Sequence, residues 1–199
     1  GPLWVGPWGV ALAHIDPDAR TRRMYRHANH DPGSLTSDTI TALLVARDGR
    51  VWVGTGAGLN RLDPDTGTIV RLTEKQGLPN NTIYALVEDA RGDIWASTNF
   101  GLVRLDPDSL SFDHYQARDG CQSNEFNMGA AHRGRSGRIY FGGINGLNIF
   151  RAEEIHANAY RPPVVLTDFQ INNRRVEVGV PDRGRQLLTD PIHRTERIV

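Results

Sequence analysis

The sequence predicts an all-β fold built from β-propeller blades, each made of four antiparallel strands. The main observation is a repeat in which an aliphatic residue precedes an aromatic one, with spacings of 48, 43 and 45 residues between Trp4, Trp52, Trp95 and Tyr140. A Gly-Leu pair follows the last three of these aromatics, at Gly58, Gly101 and Gly146. Four short strands in roughly 45 residues match one propeller blade. A β-sandwich of short strands is the alternative, and the fixed period argues against it.

The second repeat shows the pattern of one unit. Strand a covers residues 39–45, a nearly continuous apolar run that is suited to burial on both faces. The pair Asp48-Gly49 predicts a tight turn, because glycine accepts positive φ, and strand b then holds Trp52. Strands c and d cover residues 59–62 and 69–72, separated by the turn Asp63-Pro64-Asp65.

The strand count defines the predicted domains. The first repeat begins at strand b, the second and third are complete, and the fourth contains strands a, b and c. We therefore assign residues 1–151 to a partial propeller of four consecutive blades, residues 152–163 to a linker ending in Pro162-Pro163, and residues 164–199 to a second β domain. Because unpaired sheet edges are a liability, we expect residues upstream of Gly1 to supply strand d of the last blade.

The composition excludes several classes of protein. Lys+Arg and Asp+Glu both number 23, so the formal net charge is zero, which argues against nucleic acid as a partner. Cys121 is the only cysteine, so neither an intrachain disulfide nor a cysteine-based zinc site can form. The sequence contains no signal-peptide pattern and no run of about 18 apolar residues. We expect no membrane contact by this segment and no cofactor.

Three groups of residues carry a family resemblance. Residues 81–89, followed by residues 92–95 and Gly101-Leu102, resemble the two-component regulator propeller repeat. Residues 122–127 together with residues 140–146 are similar to the final blade of that family. Residues 162–169 resemble the opening strand of the immunoglobulin-like triple-tyrosine domain that follows the propeller there. The resemblance implies that residues 164–199 begin an immunoglobulin-like β-sandwich.

The resemblance also implies a function. Members of this family are sensor halves of membrane-anchored signalling proteins, with the propeller in the periplasm, and the best-understood relatives respond to oligosaccharides. Their output is usually a histidine kinase and in other relatives a different signalling domain. We therefore expect a periplasmic, non-enzymatic sensor segment of an inner-membrane protein. Its expected partner is a small ligand such as an oligosaccharide, and a homodimer formed through the full-length protein is left open.

Other clusters of polar residues are better explained by structure than by chemistry. An Asp-Pro-Asp turn recurs once per blade, beginning at Asp16, Asp63 and Asp106. Two carboxylates per turn fall short of the six to eight oxygens that calcium prefers, so we predict a type I turn. His27 and His30 have a ligand-like spacing without a second pair, so we place them in a solvated loop. We predict no metal site and no catalytic residue; Glu125 and His132 are interpreted as polar residues beside the central channel.

The turns between strands b and c are the predicted binding surface. They present different residues in each blade while the flanking Gly and Leu stay the same, which is what a recognition surface on loops requires. Aromatic rings stack on the C–H faces of sugars and amides bond their hydroxyls. The candidate ligand-binding residues are Trp8, Asn99, Phe100 and Asn145. The alternatives to a sensor are a propeller lyase or hydrolase acting on polysaccharide, and a protein-binding scaffold.

Overall fold

The computed structural model of the protein describes residues 3–6, 9–155, 168–182, 185–186 and 188. The chain divides into two compact units, Gly1–Ile155 and His156–Val199. The described part of the first unit forms four antiparallel sheets, and that of the second forms two short hairpins. The predicted all-β class with four-stranded propeller blades is confirmed. Of the candidate residues, Trp8 lies outside the described residues.

The four sheets are four consecutive blades. Blade one contains β1 (Leu3–Val5), β2 (Leu12–Asp16) and β3 (Thr21–Tyr25), which are strands b, c and d. Blade two contains β4 (Ile40–Val45), β5 (Val51–Thr55), β6 (Gly58–Leu62) and β7 (Ile69–Leu72). Blade three contains β8 (Ile83–Glu88), β9 (Ile94–Thr98), β10 (Gly101–Leu105) and β11 (Phe112–Tyr115). Blade four contains β12 (Phe126–Arg133), β13 (Arg138–Gly143) and β14 (Gly146–Arg151), which are strands a, b and c.

The core of the first unit lies between neighbouring blades. Buried apolar clusters fill each of the three interfaces, with Leu12 and Val53 between blades one and two and Leu59 and Ile94 between blades two and three. The third cluster joins blades three and four through side chains that include Phe141. Strands a lie side by side along the inner surface, where β4 contacts β8 and β8 contacts β12. Each blade therefore buries its apolar faces against its neighbours, as in other propellers.

The recurring aromatic residue occupies the same register on strand b of each blade. Trp52 and Trp95 are fully buried, and Tyr140 is half-buried. The ring of Trp95 stacks on Tyr115 of its own blade at 5.4 Å between centroids and meets Phe150 of blade four at 4.8 Å. The predicted equivalence of the three positions is confirmed. The difference in burial arises because each ring packs toward the next blade, and the described residues place no sheet beyond blade four.

Close packing at the first two blade interfaces depends on a glycine two residues after the recurring aromatic of strand b. A Cβ atom added to Gly54 would lie 2.6 Å from Cγ2 of Ile83, which begins strand a of the following blade. The same atom on Gly6 would lie 2.7 Å from Cγ2 of Ile40, the first residue of the next strand a. Both distances are shorter than real Cβ contacts allow. Glycine at this position therefore sets how closely blades two and three approach the blade before them, whereas blade three itself has Ser97 there.

The turns between strands use side-chain carboxylates to bind backbone N–H groups. Asp63 Oδ1 accepts hydrogen bonds from the N–H groups of Asp65 and Thr66, both at 3.0 Å, and Asp16 and Asp106 make the equivalent bonds. Aspartate is favoured at such turns because its side chain can accept these backbone bonds. The bonds from Thr66 and Asp65 hold the pKa of Asp63 below its usual value.

The structure describes the segment after β14 and part of the second unit. Ala152–Glu154 form one turn of 3-10 helix, and Ala152 and Ile155 pack against the cluster between blades three and four. Residues 156–167, which hold the rest of the predicted linker and most of the predicted opening strand, lie outside the described residues. The second unit contains the hairpins β15 (Gln170–Ile171) with β16 (Arg174–Arg175), and β17 (Pro181–Asp182) with β18 (Arg185–Gln186).

The first of these hairpins turns at Asn172 and Asn173. Asn172 and Asn173 have φ values of 51° and 60°, the left-handed conformation that asparagine tolerates and that a two-residue hairpin turn requires. The N–H of Val176 donates to the carbonyl of Phe169 at 2.9 Å and extends the pairing by one bond. The immunoglobulin-like sandwich itself stays a prediction.

Candidate functional site: the b–c end of the blades

Asn99, Phe100 and Asn145, the predicted binding residues that the structure describes, lie at one end of the blades. Because consecutive strands are antiparallel, the turns between b and c share an end with the connections between d and the next a, here called the b–c end. Contacts between these segments agree with this arrangement. In blade two, Thr36 Oγ1 of the preceding connection lies 2.9 Å from Thr55 Oγ1 at the start of the b–c turn. In blade four, the N–H of Asn145 donates to Gln122 Oε1 at 2.7 Å.

The turn of blade three holds Asn99 and Phe100, both exposed. Thr98 fixes the turn from beneath: its hydroxyl donates to the carbonyl of Gly101 and accepts the N–H of Phe100, both at 2.9 Å. Phe100 exposes 45% of its surface, a large fraction for an aromatic side chain. The turn thus presents a ring and an amide to solvent on a backbone held by a buried threonine.

The turn of blade four is built differently. Gly143 replaces the threonine, and the Gln122 side chain lies against it, donating from Nε2 to the carbonyl of Glu125 at 2.9 Å. A Cβ atom on Gly143 would lie 2.5 Å from that carbonyl oxygen and would overlap the Gln122 side-chain amide, so only glycine leaves room for the glutamine. Asn145 is exposed and is positioned through its backbone by Gln122. Gln122 is therefore a positioning residue for the candidate site.

The structure brings some of the predicted residues together. Asn99 and Phe100 share one turn, and Asn145 occupies the equivalent turn of the adjacent blade with the exposed Ile144 beside it. The assignment of these residues to a ligand site stays a prediction, and so does that of Trp8. Their common end and their exposure agree with a surface that contacts other molecules.

The connections between blades are more ordered than the sequence suggests. Between blades one and two, the Arg71 guanidinium donates hydrogen bonds to backbone carbonyls of the connecting loop. Its Nε donates to the carbonyl of Ser34 at 2.6 Å, and its Nη2 donates to the carbonyls of Asp31 at 2.8 Å and Leu35 at 2.9 Å. His27 in the same loop uses Nδ1 with the carbonyl of Leu35 at 2.6 Å and Nε2 with Asn29 Oδ1 at 2.9 Å. Both ring nitrogens are therefore occupied by the loop itself.

The next two connections repeat one design. A 3-10 turn, Glu74–Gln76 or Ala117–Asp119, follows strand d and ends at a glycine in the left-handed conformation. Asn81 Oδ1 accepts the N–H of Glu74 at 2.9 Å, and Asn124 Oδ1 accepts the N–H of Ala117 at the same distance. The sequence signal for this feature is an asparagine seven residues after the first turn residue in both repeats.

Three side chains of the first unit that could take part in chemistry are Cys121, Glu125 and His132. Burial, followed by the charge of Asp119, raises the pKa of the Cys121 thiol to about 11, so it is protonated and weakly nucleophilic at neutral pH. Glu125 is exposed just before β12, and His132 is exposed near the other end of that strand, 6.4 Å from Tyr140 between ring centroids. The residues that the structure describes contain no group of three or more metal-ligating side chains.

Comparison with known proteins identifies the repeats. The family model "Two component regulator propeller" matches residues 34–57 and 77–100, the a and b strands of blades two and three with their preceding connections. The chain therefore contains two-component regulator propeller repeats, and the predicted resemblance to this family is confirmed.

Known relatives point to sensor proteins. Histidine kinase P4 of Formosa agariphila is 40% identical over 65 residues, which are 33% of this chain and 5% of that protein. The extracellular domain of a protein assigned as a hybrid two-component system of B. thetaiotaomicron matches with 28% identity and a TM-score of 0.67, over 90% of this chain and 25% of that one. A second such extracellular domain from this organism matches with 22% identity and a TM-score of 0.59, over 75% and 20% of the two chains.

This chain spans about a quarter of the length of the solved domains that it matches. Its blades are thus similar to a segment of the extracellular domain of hybrid two-component sensors. Within the described residues, no helix is both long and apolar enough to cross a membrane.

Proposed function

We propose that this chain is a ligand-sensing segment of a signalling protein, that it lies in the periplasm, and that it recognises an oligosaccharide without catalysing a reaction. The observation that carries the proposal is the likeness to an extracellular hybrid two-component domain, with 28% identity over 90% of this chain. The output domain, as in such systems, is a histidine kinase or another signalling domain elsewhere in the protein.

The chemistry of the b–c end supports a sugar ligand. The b–c turns of blades three and four expose amides and apolar side chains: Asn99, Phe100, Asn145 and Ile144. A sugar ring offers a C–H face for the aromatic ring and hydroxyls for the amides. The supporting backbone is fixed by Thr98 and Gln122, so these side chains are presented on ordered turns, which lowers the entropic cost of binding.

The proposal is tested by ligand screening. The purified protein is titrated with a panel of neutral and acidic oligosaccharides while its thermal unfolding is followed, and each sugar that raises Tm is then measured by calorimetry. We expect at least one oligosaccharide to bind. Phe100→Ala should weaken it about fivefold, since one stacking contact contributes about 1 kcal/mol, and Trp8→Ala should do the same.

The matched control is Val45→Ala. Val45 is 53% exposed and lies at the opposite end of a blade, so truncating it removes exposed apolar surface without touching the b–c end. Unchanged affinity in the Val45 variant is expected. Normal affinity in both Phe100→Ala and Trp8→Ala would exclude the b–c end as the binding surface, and failure of all sugars to bind would exclude an oligosaccharide ligand.

A further inference from the structure

A cleft of about 580 Å³ lies at the other end of the blades, where the innermost strands finish. Antiparallel order places the a–b turns there, so this is called the a–b end. The cleft is lined by the last residues of three strands and by the turn after β12, including Leu44, Glu88, His132, Arg133 and Arg135. Its volume is within the range of small-molecule sites, which runs from about 300 to 1,000 Å³.

The charges in the cleft are not balanced. Among the described residues that line it, Glu88 is the only acidic one. Its carboxylate already accepts two hydrogen bonds from Arg47, from Nε at 2.9 Å and from the backbone N–H at 3.0 Å. Arg133 and Arg135 are exposed, and neither forms an ion pair with any acidic side chain that the structure describes. The cleft therefore has two uncompensated guanidinium groups.

The surroundings favour an anion over a neutral ligand. Leu44, Leu86, Val87 and Ala131 form an apolar wall beside the two arginines. A concave site with low-dielectric walls and an excess of charge of one sign concentrates its field on the bound group. Guanidinium groups bind carboxylates and sulfates through paired, charge-assisted hydrogen bonds. His132 adds a ring nitrogen to the same lining.

We propose that the cleft at the a–b end binds the carboxylate or sulfate group of an acidic sugar, with Arg133 and Arg135 as its ligands. The site lies at the opposite end of the blades from Asn99, Phe100 and Asn145, so it is separate from the sugar surface proposed above. A volume of about 580 Å³ accommodates a ring in addition to the charged group. Glu88, held by Arg47, closes one side of the cleft without cancelling the two free cations.

The test uses three probes of known chemistry: tri-galacturonate, the neutral trisaccharide maltotriose, and inorganic sulfate. Binding to the purified protein is measured by calorimetry in low-salt buffer. We expect tri-galacturonate to bind and maltotriose not to bind at this site. The Arg133→Ala/Arg135→Ala variant should lose at least about tenfold in affinity, because each lost contact is a charge-assisted hydrogen bond. Raising the salt to about 0.5 M should weaken binding to the unmodified protein.

Two variants serve as controls. Arg138→Ala removes one arginine from the same blade, where it is exposed at the start of β13 and does not line the cleft, and it should leave affinity unchanged. Arg133→Lys/Arg135→Lys keeps both charges and should retain more affinity than the alanine pair. All replaced side chains are exposed, so Tm should stay close to that of the unmodified protein. Phe100→Ala should also leave this binding unchanged, which separates it from the surface at the b–c end.

The outcomes are distinct. Binding of tri-galacturonate that depends on Arg133 and Arg135 supports the site. Sulfate that binds as tightly, with the same dependence, supports the anion site and assigns the free oxyanion as its occupant. Equal affinity in the alanine pair and the unmodified protein overturns the proposal, as does equal binding of maltotriose and tri-galacturonate, or the absence of binding by both anionic probes.

Discussion

Blades two and three differ from blade four although they share one motif. Strands c of the complete blades, β6 and β10, are buried except at Arg61 and Arg104. The corresponding strand of blade four, β14, leaves Leu147 54% and Ile149 53% exposed. Leu147 occupies the position of Leu59 and Leu102, which are buried, so its exposure arises from its neighbours, whereas Ile149 occupies the position of Arg61 and Arg104. The described residues place a sheet on both sides of blades two and three, and on one side of blade four.

This contrast shows what a single repeat can and cannot specify. The alternation of residues within a repeat determines where strands form, and burial of those strands requires the surface of another blade. Exposed apolar side chains such as Leu147 and Ile149 are typical of a surface that contacts another molecule or segment. Completion of blade four by residues upstream of Gly1 stays a prediction.

Truncation of the strand b aromatics should give the largest difference between these blades. Trp95→Ala removes a ring that is fully buried between blades three and four, and should destabilise the protein by about 3–5 kcal/mol. Tyr140→Ala, at the equivalent but half-buried position, should cost roughly 1–2 kcal/mol. Urea unfolding of the two variants measures both values. Equal losses would show that burial by the neighbouring blade is not what makes this position important.

Loss of the buried hydrogen bond between Trp95 and Asp89 should have a smaller effect on stability. Asp89 Oδ2 accepts Trp95 Nε1–H at 3.0 Å, and its Oδ1 accepts the N–H groups of Arg91, Gly92 and Asp93. Asp89→Ala leaves these donors without an acceptor and should cost at least about 2 kcal/mol.

Blade two supplies the reverse experiment. Ala46 takes the place of Asp89 at the a–b turn, and Nε1 of the buried Trp52 has no hydrogen-bond partner among the described residues. Ala46→Asp should therefore stabilise the protein by about 1 kcal/mol, measured by the same unfolding method. A loss of stability would mean that the turn of blade two cannot bring its N–H groups to the new carboxylate.

The Asp-Pro-Asp turns should give the smallest effect, and it should depend on pH. Hydrogen bonds from the N–H groups of Ser109 and Asp108 hold the pKa of Asp106 below its usual value of 3.8. A lowered folded-state pKa stabilises the protein at pH values above the usual pKa, and this contribution is lost as the pH falls through the folded-state value. Asp106→Asn should thus lower Tm slightly at pH 7, and the difference from the unmodified protein should vanish under strongly acidic conditions. A difference in Tm independent of pH would contradict the role assigned to the charge.

Much of the fold could be predicted from the sequence because its determinants are local and repeated. The position of Trp52, Trp95 and Tyr140 on strand b follows from a period, and the turn at Asp63 follows from residues within four positions of one another. The exposure of Phe100 follows from its place between two strands. These features need no knowledge of which segments meet in space.

The remaining features depend on contacts between distant residues. Arg71 binds the carbonyl of Ser34, 37 residues earlier, and nothing in the local sequence of either indicates the partner. Gln122 reaches Asn145 across 23 residues. The hydrogen bond between Asp89 and Trp95 is different, because its two residues are only six positions apart. Aligning the repeats shows that blade two has Ala46 at the position of Asp89 and so lacks this acceptor. The cleft with Arg133 and Arg135 requires three strands to be placed side by side, which the repeat pattern alone does not determine.

The packing of Gly54 against the isoleucine of the next blade has a consequence for how such proteins gain repeats. Blade two contains both residue types of the glycine–isoleucine contact between blades. Ile40, at the start of its first strand, packs on Gly6 of blade one, and Gly54, in its second strand, receives Ile83 of blade three. A tandem copy of that repeat would fit behind its parent as soon as it arose, because the projection of one copy matches the recess of the other. Lengthening by whole repeats therefore requires no new interface to evolve, whereas a duplication that begins or ends between the isoleucine and the glycine would leave one of them unmatched.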